Sequence, residues 1–148
     1  MQLSKKSRYG LRALIYLASS PRGHYVSLGS IAKAGDIPPQ FLEQVFAALR
    51  RAGLVKGLKG PSGGYRLAME PKDITVHDVL SVLEGSYLIA DEEASADSLS
   101  YAMSLAVQEK LIDPVNDMLE KKLSMLTLAE LYDAYQESLA EGQGMYYI

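Results

Sequence analysis

The 148-residue sequence contains no cysteine. That absence excludes disulfides, a catalytic thiol, zinc ribbons and thiolate-held iron–sulfur clusters. Long apolar runs are missing too: none approaches the ~18 residues that a membrane span requires. The basic start MQLSKKSRYGLRALIYLA carries an apolar stretch only from Ala13 to Ala18, directly behind Arg12. It is too short for the apolar region of a secretory signal, so a cytoplasmic location and no membrane partner are expected. No Ser/His/Asp ordering, paired catalytic carboxylates or nucleotide-binding loop is found either, and no enzyme activity is expected. What remains is ordinary for a folded domain, 48% hydrophobic and 22% charged residues. The length predicts one domain with room for an appended element.

The formal net charge of −3 conceals a division. Residues 1–72 hold twelve Lys/Arg against three Asp/Glu, a net +9, and residues 73–148 hold three against fifteen, a net −12. Such a split predicts an N-terminal part that meets a polyanion and a C-terminal part that does not.

Periodicity organises the basic half. Leu11, Leu14, Ile15 and Ala18 recur at i, i+3, i+4 and i+7 in a helix from Ser4 to about Ser20. Ser27 caps a short helix through about Ala34, and AGDIPP is then a turn. From Pro39 to Ala52 the stripe is Leu42, Val45, Phe46 and Leu49, closed by Gly53 at a C′ position. Two extended pieces, Leu54–Leu58 and Tyr65–Ala68, flank a glycine loop, and Thr75 caps a helix lined by Val76, Val79, Leu80 and Leu83. Helix, helix, turn, helix and hairpin in that order predict a mainly α fold: a winged helix-turn-helix with a two-stranded β wing and a long C-terminal dimerisation helix.

Opposite the apolar stripe of the third helix, Gln40, Glu43, Gln44, Ala47 and Arg51 form one contiguous face. Amides read adenine, a carboxylate accepts from a cytosine amine, and Ala47 permits close approach or meets a thymine methyl. Arg50, Arg51, Lys56, Lys59 and Arg66 surround this face in the sequence. The loop KGLKGPSGGYRL lacks the Lys-Ser/Thr pair that a phosphate cradle needs after its last glycine, and it lacks G-x-G-x-x-G spacing. Its glycines suit a tight turn close to another backbone, and Lys59 supplies charge for a narrow groove.

The stretches KSRYGLRALIYLA, IPPQFLEQVFAALRRAGLVKGLKGPSGGYRLAMEP, ITVHDVLSVLEG and LTLAEL resemble the IscR/NsrR/CymR family of bacterial dimeric transcription regulators. The match is dense over residues 1–86 and looser over 99–135. The resemblance implies a homodimer on a partly palindromic double-stranded DNA operator. By position, Gln40, Glu43 and Gln44 would touch bases, while Ser4, Lys5, Arg8, Arg50, Arg51, Lys56 and Ser62 would position phosphates. Lys59 stands where many relatives carry a minor-groove arginine. The implied organisation is a DNA-binding domain over 1–86, an acidic linker loop over 87–98, a helical dimerisation region over 99–140 and a flexible tail over 141–148.

Cluster-binding members of that family place three cysteines ahead of the dimerisation helix, where this chain reads SYLIADEEASADSLS. No iron–sulfur cluster or other cofactor is therefore expected. The loop carboxylates read as solvated, not as a metal site, and His24 and His77 read as surface or packing residues. Residues 98–126 carry a helical apolar pattern interrupted at Pro114, which either starts a new helix or kinks a continuous one. Thr127 and Glu130 predict a capping box for a last helix. The C-terminal EGQGMYYI ends on bulky apolar residues that either fold back on the dimer or dock a partner. The family's cysteine-metabolism repressors end similarly, lack cluster cysteines and associate with cysteine synthase, whose cleft accepts C-terminal peptides ending in isoleucine. The resemblance thus implies a repressor of cysteine and sulfur-metabolism genes docking through Met145, Tyr146, Tyr147 and Ile148. The alternative is a regulator of the same fold answering a small molecule or another signal, with a purely structural tail.

Overall fold

The computed structural model describes residues 1–96 and 98–146, residues 143–146 by backbone alone. Helix α1 runs Lys5–Ala18, with the Ser4 hydroxyl accepting from the Ser7 amide as its N-cap. Ser27 caps α2, Leu28–Gly35, in the same way, through the Ser30 amide. Asp36 ends α2 in the left-handed region at φ 51°, which aspartate tolerates better than most residues. A turn through Ile37 then leads to α3, Pro39–Arg51, which starts on a proline whose missing N–H would have had no helical partner. Its stripe of Leu42, Val45, Phe46 and Leu49 is wholly buried.

The wing is an antiparallel pair, β1 (Val55–Leu58) against β2 (Gly64–Leu67), with Val55 opposite Leu67 and Leu58 opposite Gly64. A third extended piece, invisible to periodicity because it is so short, joins at Val26, which exchanges two backbone hydrogen bonds of 2.8 Å with Tyr65. Tyr65 stacks on Phe46 at 4.6 Å, fixing the root of the wing to α3. After a 3-10 turn at Pro71–Asp73, Thr75 and Asp78 form a capping box that opens α4, Val76–Leu83.

The acidic half is built of α5 (Leu99–Val107), a π-helical turn (Gln108–Ile112), α6 (Asp113–Met125) and α7 (Leu128–Tyr146). Pro114 therefore neither starts a separately capped helix nor breaks the rod. Its ring would press on the carbonyl four residues back, and the preceding turn widens, with the Asp113 amide bonding to the Gln108 carbonyl. Thr127 and Glu130 form the expected capping box, at 2.9 and 3.2 Å.

Two boundaries differ from expectation. Residues 74–76 pair with 126–128 through Val76 N–H to Leu126 O and Leu128 N–H to Ile74 O, each 2.8 Å. Leu128, 2% exposed, sits in the same core as Leu14, Ile31, Phe46 and Ile74, so the helical region after residue 98 shares the core of residues 1–86. The tail placed at 141–148 is helical through Tyr146. Two glycines, each costing about 1 kcal/mol against alanine, do not stop a helix that its neighbours propagate. Tyr147 and Ile148 lie outside the described residues. Among the described residues no helix is long and apolar enough to cross a membrane.

Candidate nucleic-acid interface

Because the stripe of α3 is buried, its opposite face must point outward. Gln40, Glu43, Gln44 and Arg51 are exposed there and Ala47 is half-buried between them. Among the described residues, neither amide nor the Glu43 carboxylate makes a side-chain hydrogen bond or ion pair within the chain. Their polar heads are available to base edges.

The first turn of α1 supplies a second edge. Lys5 and Arg8 are exposed, and Arg8 is steadied by its Nε–H donating to the Leu3 carbonyl at 3.0 Å. Sequence reasoning missed what anchors this turn. Glu84, at the end of α4, accepts from the Ser4 amide at 2.7 Å and from the wholly buried Ser7 hydroxyl at 2.6 Å. Hydrogen bonds from Ser4 and then Ser7 hold the Glu84 carboxyl below its ordinary value. The signal was tertiary: 77 residues separate Ser7 from Glu84, and no local pattern connects them.

On the wing, Lys56, Lys59 and Ser62 are exposed. Gly60 takes φ 104° in the turn, and a Cβ on Gly64 would lie 2.0 Å from the Val26 carbonyl oxygen, so both positions require glycine. Arg50 and Arg51 end α3 beside the wing root. Arg66 departs from the expected ring of cations: its guanidinium lies 5.3 Å from the Tyr25 ring and half-buried. Arg12, likewise, is spent on the Gly35 carbonyl and the Tyr9 ring. The ion pair of Arg22 with Glu70 is the only one among the described residues, which leaves Lys5, Arg8, Arg50, Arg51, Lys56 and Lys59 without a carboxylate partner. Uncompensated cations on three elements make the electrostatic footprint of a phosphate-binding surface.

The loop after α4 is pinned rather than loose. Tyr87 is buried, with its hydroxyl 2.7 Å from His77 Nδ1, and burial, followed by the Glu120 charge, raises its pKa above the ordinary tyrosine value. Asn116 clasps both backbone groups of Ile89, and Gln108 bonds the Glu92 amide, Asp91 and Asp113 at 2.8 Å each. His24 is exposed. Beyond the loop, α5 and α6 have two apolar faces. Ile112, Val115, Leu119 and Leu123 turn towards the chain's own body, while Leu99, Met103, Leu111, Met118 and Met125 point out, between 55% and 82% exposed.

A helix-turn-helix with a two-stranded wing, an outward polar face on its second helix and unpaired cations around it is a DNA-binding fold of the winged-helix class. The chain belongs to the Rrf2 family, whose model, described as "Iron-dependent Transcriptional regulator", matches residues 3–134. It is 41% identical over 115 residues to the HTH-type transcriptional regulator CymR of Bacillus subtilis (strain 168), spanning 75% of this chain and 83% of that one. The structure of CymR (YrzC), the global cysteine regulator of B. subtilis, superposes with a TM-score of 0.72 at 34% identity, covering 90% of this chain and 98% of that one. IscR of T. potens gives 0.65 at 33% identity, over 93% and 90%. The protein is thus a helix-turn-helix transcriptional regulator. The family description speaks of iron, and the residues present do not fit a thiolate-held cluster: there is no cysteine, and Asp91 and the Glu92 amide are already bonded to Gln108. Among the described residues no three His, Asp or Glu side chains converge on a point where a metal ion could sit.

Proposed function

We propose that this chain acts as a homodimeric, sequence-specific repressor of cysteine and sulfur-metabolism genes, without an iron–sulfur cluster, and that it docks cysteine synthase through its C-terminal isoleucine. The observation that carries the operator reading is the exposed Gln40–Glu43–Gln44 face framed by unpaired cations. In this reading α3 enters the major groove, where those three side chains and Ala47 meet base edges. Ser4, Lys5, Arg8, Arg50, Arg51, Lys56 and Ser62 hold phosphates, and Lys59 carries charge to the minor groove.

The outward stripe on α5 and α6 supports homodimerisation. Large side chains such as Leu99 and Met118 are costly to leave in water, and a second copy offers the same stripe in self-complementary form. Two copies present two recognition helices to a partly palindromic site. The link to cysteine rests on likeness to CymR, together with a C-terminal Tyr-Tyr-Ile of the kind a carboxylate-binding cleft can capture.

Calorimetric titration of cysteine synthase with the full chain, beside a variant lacking Ile148, tests the docking. Binding that disappears with the last residue is the expected result. Equal binding by both forms removes Ile148 as the docking element, none by either removes cysteine synthase docking altogether, and both leave the operator reading untouched.

A further inference from the structure

A cavity of about 260 Å³ lies away from the recognition face, behind the root of the wing. The end of α1, the turn Pro21–His24 and the strand exit Arg66–Pro71 wall it. The turn is stiff: the His24 amide bonds to the Pro21 carbonyl at 3.1 Å, and Gly23 supplies φ 85°. At the rim Arg22 and Glu70 form an ion pair, with their side chains 86% and 38% exposed. Arg66 lines the wall, and its buried Nε–H has no hydrogen-bond partner. Leu17, Leu67 and Met69 make an apolar side.

The cavity is smaller than a site for a drug-sized ligand, so its occupant is a small metabolite. Its walls pose three demands at once: guanidinium groups want an oxyanion, the Glu70 carboxylate wants a cation, and the leucines want carbon. A simple anion would be opposed by Glu70, and a simple amine by Arg22 and Arg66. We propose that the cavity binds a free α-amino acid with an apolar side chain, its carboxylate held by Arg22 and Arg66, its ammonium by Glu70 and its side chain against Leu17 and Leu67. The ligand's two charges replace the two halves of the Arg22–Glu70 pair, so neither is left alone.

Occupancy should reach the wing. Arg66 stands directly opposite Lys56 in the hairpin register, and the Ala68 amide bonds the Leu54 carbonyl at 3.0 Å. A ligand bridging the turn to β2 therefore ties the strand that carries the wing to the end of α1. This coupling, unlike the cavity itself, rests on the operator reading above, and by linkage the ligand and the operator change each other's affinity by one common factor.

Calorimetry on the full-length protein with L-leucine and L-methionine tests the site. Isocaproate, which is leucine without its amine, and isoamylamine, which lacks the carboxylate, serve as half-ligands. Saturable binding at one site per chain is expected, with each half-ligand at least about tenfold weaker. Glu70→Gln should weaken leucine at least about tenfold while leaving isocaproate unchanged or tighter, a selectivity that a folding defect does not produce. Circular dichroism melts verify that the variant is folded, and Arg66→Gln, expected to weaken isocaproate, replaces it if it is not. No saturation by either amino acid up to about 10 mM, far above the usual range of metabolite binding, overturns the proposal. So does isocaproate binding as tightly as leucine. Operator affinity is then measured with and without saturating leucine. An unchanged value overturns the coupling, whereas a protein that ignores its operator altogether overturns the DNA reading while the calorimetric result stands.

Discussion

Replacing Glu84 by alanine should unfasten the start of α1. The carboxylate accepts from the Ser4 amide at 2.7 Å and the Ser7 hydroxyl at 2.6 Å. Ser4 is half-buried and its amide can turn to water, but the Ser7 side chain is wholly buried. The other hydroxyl near it, on Ser4, lies 3.4 Å away and already accepts from the Ser7 amide at 3.2 Å, so it is a poor substitute acceptor. A hydrogen bond to a charged group is worth about 1.5–3 kcal/mol and an orphaned buried donor costs about 1–3 kcal/mol. The two overlap, so the loss should be roughly 2–4 kcal/mol. With a urea dependence of about 2 kcal/mol per molar, the unfolding midpoint should fall by roughly 1–2 M at fixed protein concentration. The diagnostic measurement is a cycle with Ser7→Ala, which removes the stranded hydroxyl. In the Glu84→Ala background Ser7→Ala should cost little or even restore stability, a coupling of about 1–2 kcal/mol. Additivity within about 0.5 kcal/mol would refute the reasoning. The sign with pH is also set. Glu84 is held below its ordinary value of 4.5, so the contribution is complete above that value and is lost as pH falls through the lowered one. The difference in stability between wild type and Glu84→Ala should shrink on acidification, not grow.

Glu43→Ala should cost about 1–3 kcal/mol at one base position and little elsewhere, measured by competition among single-base operator variants; equal losses on every sequence would make Glu43 a non-reader. Gly64→Ala places a Cβ about 2.0 Å from the Val26 carbonyl oxygen, so the Val26–Tyr65 pairing must open. Amide exchange at Tyr65 should accelerate, whereas unchanged protection there counts against the requirement for glycine. Met118→Glu puts a charge into the outward stripe of α6 and should shift the mass seen by light scattering from dimer to monomer. A monomeric wild type would overturn the dimer, and a variant with the same dimeric mass as the wild type would place the interface elsewhere.

Much of the N-terminal half was legible in the sequence because its signals are local. Four apolar residues at helical spacing over Leu42–Leu49, the capping Ser27 before the second helix and glycine at Gly53 each act within a turn or two of themselves, and all appear where the pattern placed them. The exposure of the Gln40–Glu43–Gln44 face was legible for the same reason: once one side of α3 is buried, the other is exposed. The charge count was a poorer guide to geometry. It put Arg66 with the operator-facing cations, but the aromatic face of Tyr25 and a buried seat compete for that side chain. The Glu84 clasp, the Val26 bridge and the placement of Leu128 depend on chain segments far apart in sequence, where no periodicity operates. Pro114 was ambiguous because a proline forbids the ordinary turn without specifying its replacement, and here the wide turn before it resolved the conflict.

The pairing of residues 74–76 with 126–128 has a consequence for the length of DNA the protein can span. With Leu128 buried in the same core as Leu14 and Phe46, the segment proposed to read DNA and the segment proposed to meet a second copy share one packed body. In the proposed dimer the distance between the two α3 helices would then be set by a stiff arm, so that the protein would measure its target as a yardstick rather than as a tether. Base pairs inserted or deleted between half-sites would then not be absorbed by the chain, and the penalty would fall on twisting the DNA itself.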